Sequence, residues 1–268
     1  MAAVSGQVTP LSSRYLIESI GVVSEMIRQT PSVQTLRLKT PYLSPEERPF
    51  RFKPGQFILV RPFIEHLNKK VPRSYSISSS PSRSMKEDGY FDLTVRQTET
   101  PTVSKWLNDR KVGDEIPFRG PYGSFVWDSE DPNSEQIFML AGGSGIAPMK
   151  SILEFISDMN LPNKVTLLYS SRTQEDIFFK KEVPQLAEKS ENIQIIITLT
   201  REAPDSDWRG HRGRFGLEKI KQVINTNNYD LAKTMFYVCG TPGFTKGMCQ
   251  ILEKIGIEQN RIKLEKWH

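Results

Sequence analysis

The apolar run Phe138-Met139-Leu140-Ala141 breaks at Gly142-Gly143-Ser144-Gly145, then resumes through Ile146-Ala147-Pro148 into a helix-like stretch from Met149 to Met159. A strand that ends in a glycine turn and reopens as a helix aims backbone N–H groups and the positive helix end at one spot. Because Gly142, Gly143 and Gly145 carry no Cβ, a phosphate can approach those N–H groups closely, and the helix end favours its charge. Pro148 suits the first helical turn, where its missing N–H costs nothing. It also stands where a GxGxxG pattern would carry its third glycine, so that pattern is met only in part. Taken alone, the stretch leaves a purely structural turn open.

The texture of the chain differs on the two sides of a polar, turn-rich segment, Asp128-Ser129-Glu130-Asp131-Pro132-Asn133-Ser134. Before it come short candidate strands at Tyr15–Met26, Val33–Lys39, Gln56–Arg61, Arg73–Ser78, Tyr90–Arg96 and Glu115–Arg119, with turns at Pro54-Gly55 and Asp88-Gly89. That spacing predicts an all-β antiparallel barrel of Greek-key type with one short helix, from Ser104 to Asn108. After it, apolar runs at Gln136–Leu140, Lys164–Ser170, Ile193–Thr198 and Thr234–Val238 alternate with helix-like stretches over 149–159, 175–189, 216–225 and 243–255. The alternation predicts an α/β, Rossmann-like domain with a parallel sheet. The expected organisation is a flexible tail over 1–14, a barrel domain over 15–131 and an α/β domain over 132–268.

Length and composition agree with two globular domains: 268 residues, 37% hydrophobic and 25% charged. No apolar run approaches the ~20 residues that cross a bilayer. Met1 to Pro10 lack the basic-then-apolar layout of a secretion signal. The two cysteines, Cys239 and Cys249, are too few for a disulfide framework or a four-thiolate iron–sulfur cluster. A reducing, cytoplasmic setting is expected, and any one-electron relay must be a separate protein. The net charge of +5 is spread along the chain, with 18 basic and 15 acidic residues through Asp131 and 18 and 16 beyond it. It suits phosphorylated cofactors and an acidic partner; with no reader motif present, no nucleic-acid partner is expected. His66, His211 and His268 have no metal-ligand spacing, so no metal site is expected.

Three further motifs stand in order around the glycine turn: Arg73-Ser74-Tyr75-Ser76, then Gly120-Pro121-Tyr122-Gly123-Ser124-Phe125, and finally Cys239-Gly240-Thr241-Pro242-Gly243-Phe244. With the turn, these resemble the four motifs of the ferredoxin-NADP reductase superfamily, which includes cytochrome b5 reductases and oxygenase reductase components. The resemblance covers roughly residues 15 to 268. It implies an FAD-dependent reductase that takes hydride from NADPH or NADH onto FAD, then passes electrons to a separate acceptor such as ferredoxin, flavodoxin, a cytochrome or an oxygenase. The alternative from another class is a regulatory or electron-transfer subunit on the same fold.

The resemblance also assigns roles. Arg73 is a fork-shaped donor to the FAD pyrophosphate. Ser74 and Tyr75 lie along the cofactor, Tyr75 offering a flat face to the flavin, and Ser76 reaches its N5. The second flavin element falls on Leu93-Thr94-Val95-Arg96, with Val95 in the strand, and on Val103 and Ser104. Its expected glycine is absent, Pro101 and Thr102 taking the place; Ser104 is open between a phosphate contact and a simple N-cap. Gly142, Gly143, Gly145 and Pro148 hold the coenzyme pyrophosphate. Cys239, Gly240 and Pro242 flank the nicotinamide, a buried structural thiol being the other reading of Cys239. Ser171 and Arg172 close the second parallel strand, where an arginine accepts a 2′-phosphate and an acid would accept from a free 2′-hydroxyl; this leans toward NADPH, with Glu175 and Asp176 the nearest acids. At the end of the chain, Trp267 is expected to cover the flavin and Glu265 to support the nicotinamide or a proton relay. Packing of that tail in the interdomain cleft is the alternative.

Overall fold

The computed structural model describes residues 16–266, except 42, 45–48, 87, 99–101, 129, 130, 132 and 133. The first half contains β1 (Ile17–Thr30), β2 (Val33–Lys39), β3 (Phe57–Val60), β4 (Phe63–Ile64), β5 (Lys69–Lys70), β6 (Arg73–Ser76), α1 (Pro81–Ser84), β7 (Phe91–Arg96), α2 (Val103–Asn108) and β8 (Glu115–Tyr122). Six of these strands form one antiparallel sheet in the order β6-β3-β8-β1-β2-β7. A bridge between Ile77 and Leu93 joins its two ends, closing the predicted barrel. Inward residues such as Leu36, Leu38, Ile58, Val60, Leu93 and Phe118 fill it, all 0 or 1% exposed. β1 runs four residues beyond the expected Met26 because its hairpin with β2 stays paired as far as Thr30 and Val33.

The second half contains β9 (Gln136–Gly142), α3 (Ile146–Asp158), β10 (Lys164–Ser171), α4 (Glu182–Lys189), β11 (Ile193–Leu199), β12 (His211–Arg212), α5 (Leu217–Thr226), β13 (Thr234–Gly240), α6 (Pro242–Ile255) and β14 (Ile262–Lys266). Its strands form a parallel sheet in the order β12-β11-β10-β9-β13-β14. β9 and β13 are buried along nearly their whole length, as central strands covered on both faces must be. α3 and α4 pack with one core cluster and α5 and α6 with the other. The direction of winding reverses between β9 and β13, so the crevice beyond their C-terminal ends is a topological switch point.

The structure departs from the sequence reading in three further places, the first being that the barrel domain carries two short α-helices, α1 and α2, where one was expected. The helix expected over 175–189 is α4 alone, because Ile177, Phe178 and Phe179 are all buried, at 2, 0 and 1% exposed. Three consecutive apolar residues cannot share one helical face, and the chain leaves the helical path, extended at Ile177 and turning through Phe178 and Phe179, the latter with φ 55°. The C-terminal tail is itself a strand, β14, which the charged sequence Ile262-Lys263-Leu264-Glu265-Lys266 concealed because an edge strand need not be apolar.

The two domains meet through a polar seam. Lys150, 7% exposed on α3, donates to the Ser78 carbonyl at 3.2 Å and to Glu154 at 3.0 Å. Glu154 also accepts from the Ser80 N–H at 2.9 Å and from Arg83 at 3.0 Å, while Ser151 donates to the Ser79 carbonyl at 2.7 Å. Burial alone would raise the Glu154 carboxyl; Lys150, the Ser80 N–H and Arg83 outweigh it and hold the group below the ordinary carboxylate range. Removing one member leaves a buried charge uncompensated, which costs ~3–5 kcal/mol. Glu154→Leu is therefore expected to lower stability toward denaturant by about that amount, and a loss under ~1 kcal/mol would show the seam to be as weak as a surface pair.

Candidate active site

At this seam a cavity of about 260 Å³ is lined by Arg73, Ser74, Tyr75 and Ser76 of β6, and by Thr94 and Arg96 of β7. Thr98, Thr102, Val103 and Ser104 continue the wall, and Ser144 and Ala147 close it from the α/β domain. Strand alternation explains the choice on β7. Phe91, Leu93 and Val95 point into the barrel core, so Val95, 1% exposed, stands behind the wall that Thr94 and Arg96 form. The motif reading covered this strand but singled out Val95, although the period of two marks Thr94 and Arg96 as the residues on the other face.

Ser104 is not the N-cap of α2. The helix begins at Val103 after Thr102, and the Ser104 hydroxyl lies 3.1 Å from that of Thr98. Burial pushes the Tyr75 hydroxyl up to about 12, so Tyr75 presents a neutral ring to the cavity. Arg96 lies over the Phe178 ring at 4.8 Å and pairs with Asp176 across the domains at 3.4 Å. Its Nε is buried without a partner. Burial, then the neighbouring Arg172, lowers its proton affinity. The guanidinium is thus paired through one nitrogen only, and its buried Nε retains the capacity to donate to an acceptor.

The glycine turn follows β9 at the switch point. A Cβ on Gly145 would lie 2.2 Å from the Cys239 carbonyl, and one on Gly142 would lie 2.7 Å from the Phe244 ring. Gly143 turns with φ 56° and has open space beside it. Gly142 and Gly145 are thus required by close packing within the protein, Gly143 is the one that faces open space, and Pro148 falls in the first turn of α3 as expected. Cys239, fully buried, and Gly240 end β13 next to the turn, and Pro242 opens α6. Gly123 has φ 105°, and Phe125 packs edge-on to Tyr237 at 5.3 Å, so the motif at the end of the barrel shapes the junction.

Glu265 pairs in register with Cys239 on the adjacent strand and accepts from the Ser76 hydroxyl at 3.4 Å. The structure thus brings Ser76, Cys239 and Glu265 together from both domains. Trp267 and His268 lie outside the described residues. Ser171 is buried at the end of β10; Arg172 follows it, and its half-exposed side chain is held by Asp176 at 2.9 Å. The acid that the sequence placed only further along the chain folds back onto the arginine.

Comparison with known proteins follows the same division. The model described as "Oxidoreductase FAD-binding domain" matches residues 21–127, and that described as "Oxidoreductase NAD-binding domain" matches residues 139–250. NADH-cytochrome b5 reductase 1 of Dictyostelium discoideum is 34% identical over 213 residues, covering 78% of this chain and 68% of that protein. The glycine betaine monooxygenase reductase subunit of Pseudomonas aeruginosa is 28% identical over 251 residues, covering 93% of this chain; the chain spans only 63% of that relative's length. A ferredoxin NADP+ reductase from Neisseria gonorrhoeae, solved with bound FAD and NADP, shares the fold with a TM-score of 0.75 at 22% identity, over 93% of this chain and 98% of that one. The chain belongs to the ferredoxin-NADP reductase-like family of oxidoreductases with FAD-binding and NAD-binding domains. No helix among the described residues is long and apolar enough to cross a membrane.

Burial raises the Glu265 carboxyl to about 7, and the Ser76 hydrogen bond offsets only part of that. The folded protein therefore keeps a proton that the unfolded chain gives up near the ordinary value of 4.5. Stability from this group is full below that value and falls as the pH rises through about 7. Glu265→Gln is expected to remove this fall, so that denaturation midpoints of wild type and variant diverge between pH 4.5 and 7, the variant gaining. Parallel curves across that window would exclude the raised carboxyl.

Proposed function

We propose that the chain is an NAD(P)H-dependent flavin reductase with its FAD domain over 15–131 and its nicotinamide domain over 132–268, serving a separate electron acceptor. The observation that carries this reading is the single seam at which the Arg73–Ser76 strand, the glycine turn and the Ser76–Glu265 hydrogen bond converge. Bound together, the two cofactors supply hydride transfer from nicotinamide to flavin and release of electrons one at a time.

The protein's own residues do the rest. Arg73, with Arg96 beside it, pairs with the FAD pyrophosphate, and the Val103 and Ser104 amides assist; Ser74 and Tyr75 line the cofactor. Ser76 offers a hydrogen bond at the flavin N5. The backbone turn of Gly142, Gly143 and Gly145, open at Gly143 and ahead of Pro148 and α3, takes the coenzyme pyrophosphate. Cys239, Gly240 and Pro242 wall the nicotinamide position, with no nucleophilic role for the thiol. Glu265, whose carboxyl changes protonation near pH 7 and accepts a hydrogen bond from Ser76, supports the nicotinamide or a proton relay.

Ser171 and Arg172 meet the coenzyme ribose. Arg172 is the handle for a 2′-phosphate, and Asp176 competes for it. For the acceptor, the names of the relatives support a b-type cytochrome or an oxygenase component. An acidic ferredoxin or flavodoxin fits the basic chain equally.

The purified protein is expected to be yellow and to bleach with NADPH or NADH; a colourless protein, or one whose flavin stays oxidised, favours the non-catalytic subunit. Arg73→Ala is expected to weaken FAD retention by ~1.5–3 kcal/mol, the scale of a charged hydrogen bond, and full flavin occupancy after dialysis would contradict the assignment. Arg172→Ala should lower kcat/KM for NADPH about tenfold with little change for NADH, whereas Asp176→Asn should raise NADPH use. An unchanged NADPH-to-NADH ratio in both variants removes Arg172 from the ribose site.

A further inference from the structure

We propose that the hydroxyls of Thr94 and Thr35 form a proton exit from the active cavity to a second cavity further along the domain seam, a proposal that rests on the reductase reading above. The second cavity has a volume of about 220 Å³. Thr35, Arg37 and Asp92 of the barrel and Lys150, Glu154 and Gln185 of the α/β domain line it. Gln185 is exposed at its rim, so the cavity opens to solvent, and polar walls of this kind hold water. Thr35 lines this cavity, and Thr94 lines the active one. Both are buried, they pair across β2 and β7, and their hydroxyl oxygens lie 2.8 Å apart. One hydroxyl contact thus links the two cavities.

Strand pairing builds this contact. The alternation that sends Phe91, Leu93 and Val95 into the core leaves Asp92, Thr94 and Arg96 on the outer face of β7. On one side Thr35 stands across from Thr94. On the other, the antiparallel bridge of Ile77 with Leu93 sets Ser76 across from Thr94, and both line the active cavity. Cross-strand neighbours on one face have Cβ atoms ~5 Å apart, so the residue read as reaching flavin N5 stands beside the first hydroxyl of the exit. Ser78, fully buried, adds a third hydroxyl 2.9 Å from that of Thr94 and 3.2 Å from the Asp92 carbonyl. In both hydroxyl–hydroxyl contacts either oxygen can donate. All three O–H bonds can therefore point toward the Asp92 carbonyl, or all toward the second cavity, and each group stays satisfied when water accepts at that end. Packing alone would be met by two apolar β-branched residues, with no hydroxyl to desolvate.

The reaction needs an exit of this kind. Each NAD(P)H oxidised to NAD(P)+ yields two electrons and one proton; the electrons pass to the acceptor, and the proton must leave the seam. Thr94 takes it on oxygen as its own O–H bond breaks toward Thr35. The Thr35 oxygen takes that proton as its own O–H bond breaks toward water in the second cavity. No electrons change hands in these hops, and no side chain is left charged. Rotation of the three hydroxyls, with Ser78 again donating to the Asp92 carbonyl, restores the starting arrangement. This exit leaves on the barrel side, whereas Glu265 meets Ser76 from β14 of the α/β domain.

The test uses the whole FAD-loaded protein and Thr35→Val, which removes the outer hydroxyl and keeps the branched shape. Thr35→Ser is its conservative counterpart, and Thr94→Val is a second break in the same path. Each protein is photoreduced with EDTA and light, without nicotinamide, then mixed with ferricyanide in weak buffer containing a pH indicator. Thr35→Val is expected to slow proton appearance and flavin reoxidation about tenfold and to raise the solvent deuterium isotope effect, while Thr35→Ser keeps wild-type behaviour. Thr94→Val should match Thr35→Val, and the double variant should be no slower than either. Imidazole, small enough to enter the cavity and carry the proton, should restore the valine variants and leave the wild type unchanged. The FAD midpoint potential, an equilibrium quantity that a displaced flavin would shift, should be the same in every protein. Wild-type proton release and isotope effect in Thr35→Val overturn the proposal. So does a slowing that imidazole does not relieve, or one that comes with a shifted potential. A chain that binds no FAD, or whose FAD is not reduced by NAD(P)H, defeats the reductase reading; a loaded, NAD(P)H-reducible protein indifferent to Thr35→Val loses the exit alone.

Discussion

The active cavity depends on how α3 is clamped to the barrel. Lys150 and Glu154 sit one turn apart on that helix, and they meet the Ser78 carbonyl, the Ser80 N–H and Arg83 across the seam. The same helix begins at the glycine turn. Clamping it fixes where that turn stands relative to β6 and β7, and so whether two half-sites make one site. A chain that folded each domain perfectly but lost this clamp would own both cofactor cradles without the distance between them being set.

The seam is polar where it is most buried, and this has a cost that apolar packing would avoid. Its return is geometric. Hydrogen bonds to the Ser78 carbonyl and the Ser80 N–H accept one relative placement of the domains, while a greasy interface tolerates sliding. The same logic reaches the cavity through Asp176, which binds Arg172 beside it and Arg96 from the other domain. A carboxylate shared in this way ties the end of β10 to the barrel strand β7.

Glu265 shows how tertiary environment creates reactivity. In the sequence it is one carboxylate among 31 acidic residues. Burial on β14 raises it to about 7, and the hydrogen bond that the Ser76 hydroxyl donates offsets only part of that. A group next to Ser76 and Cys239 that changes charge near neutrality takes up and releases its proton in a pH range where an exposed glutamate stays ionised.

Much of the fold was legible in the chain because its signals are local. Alternation of period two, the β–α rhythm after Ser134, and glycine at turns that a Cβ would block all act within a few residues, and they located both sheets and the Gly142–Gly145 turn. Motif likeness added Arg73 to Ser76. What the chain concealed is whatever depends on two distant segments meeting. Ser76 and Glu265 are 189 residues apart, and nothing local marks either as the other's partner. Arg96 stood next to the residue chosen from its motif, yet only the barrel's inside and outside decided that Val95 faces the core and Arg96 the cavity. Residues 177–179 read as helix by composition, but burial of all three side chains required a turn there instead of a helix. Local propensity is set by each residue's own backbone and nearest neighbours, whereas burial, ion pairing and proton affinity are properties of the space that the whole chain encloses.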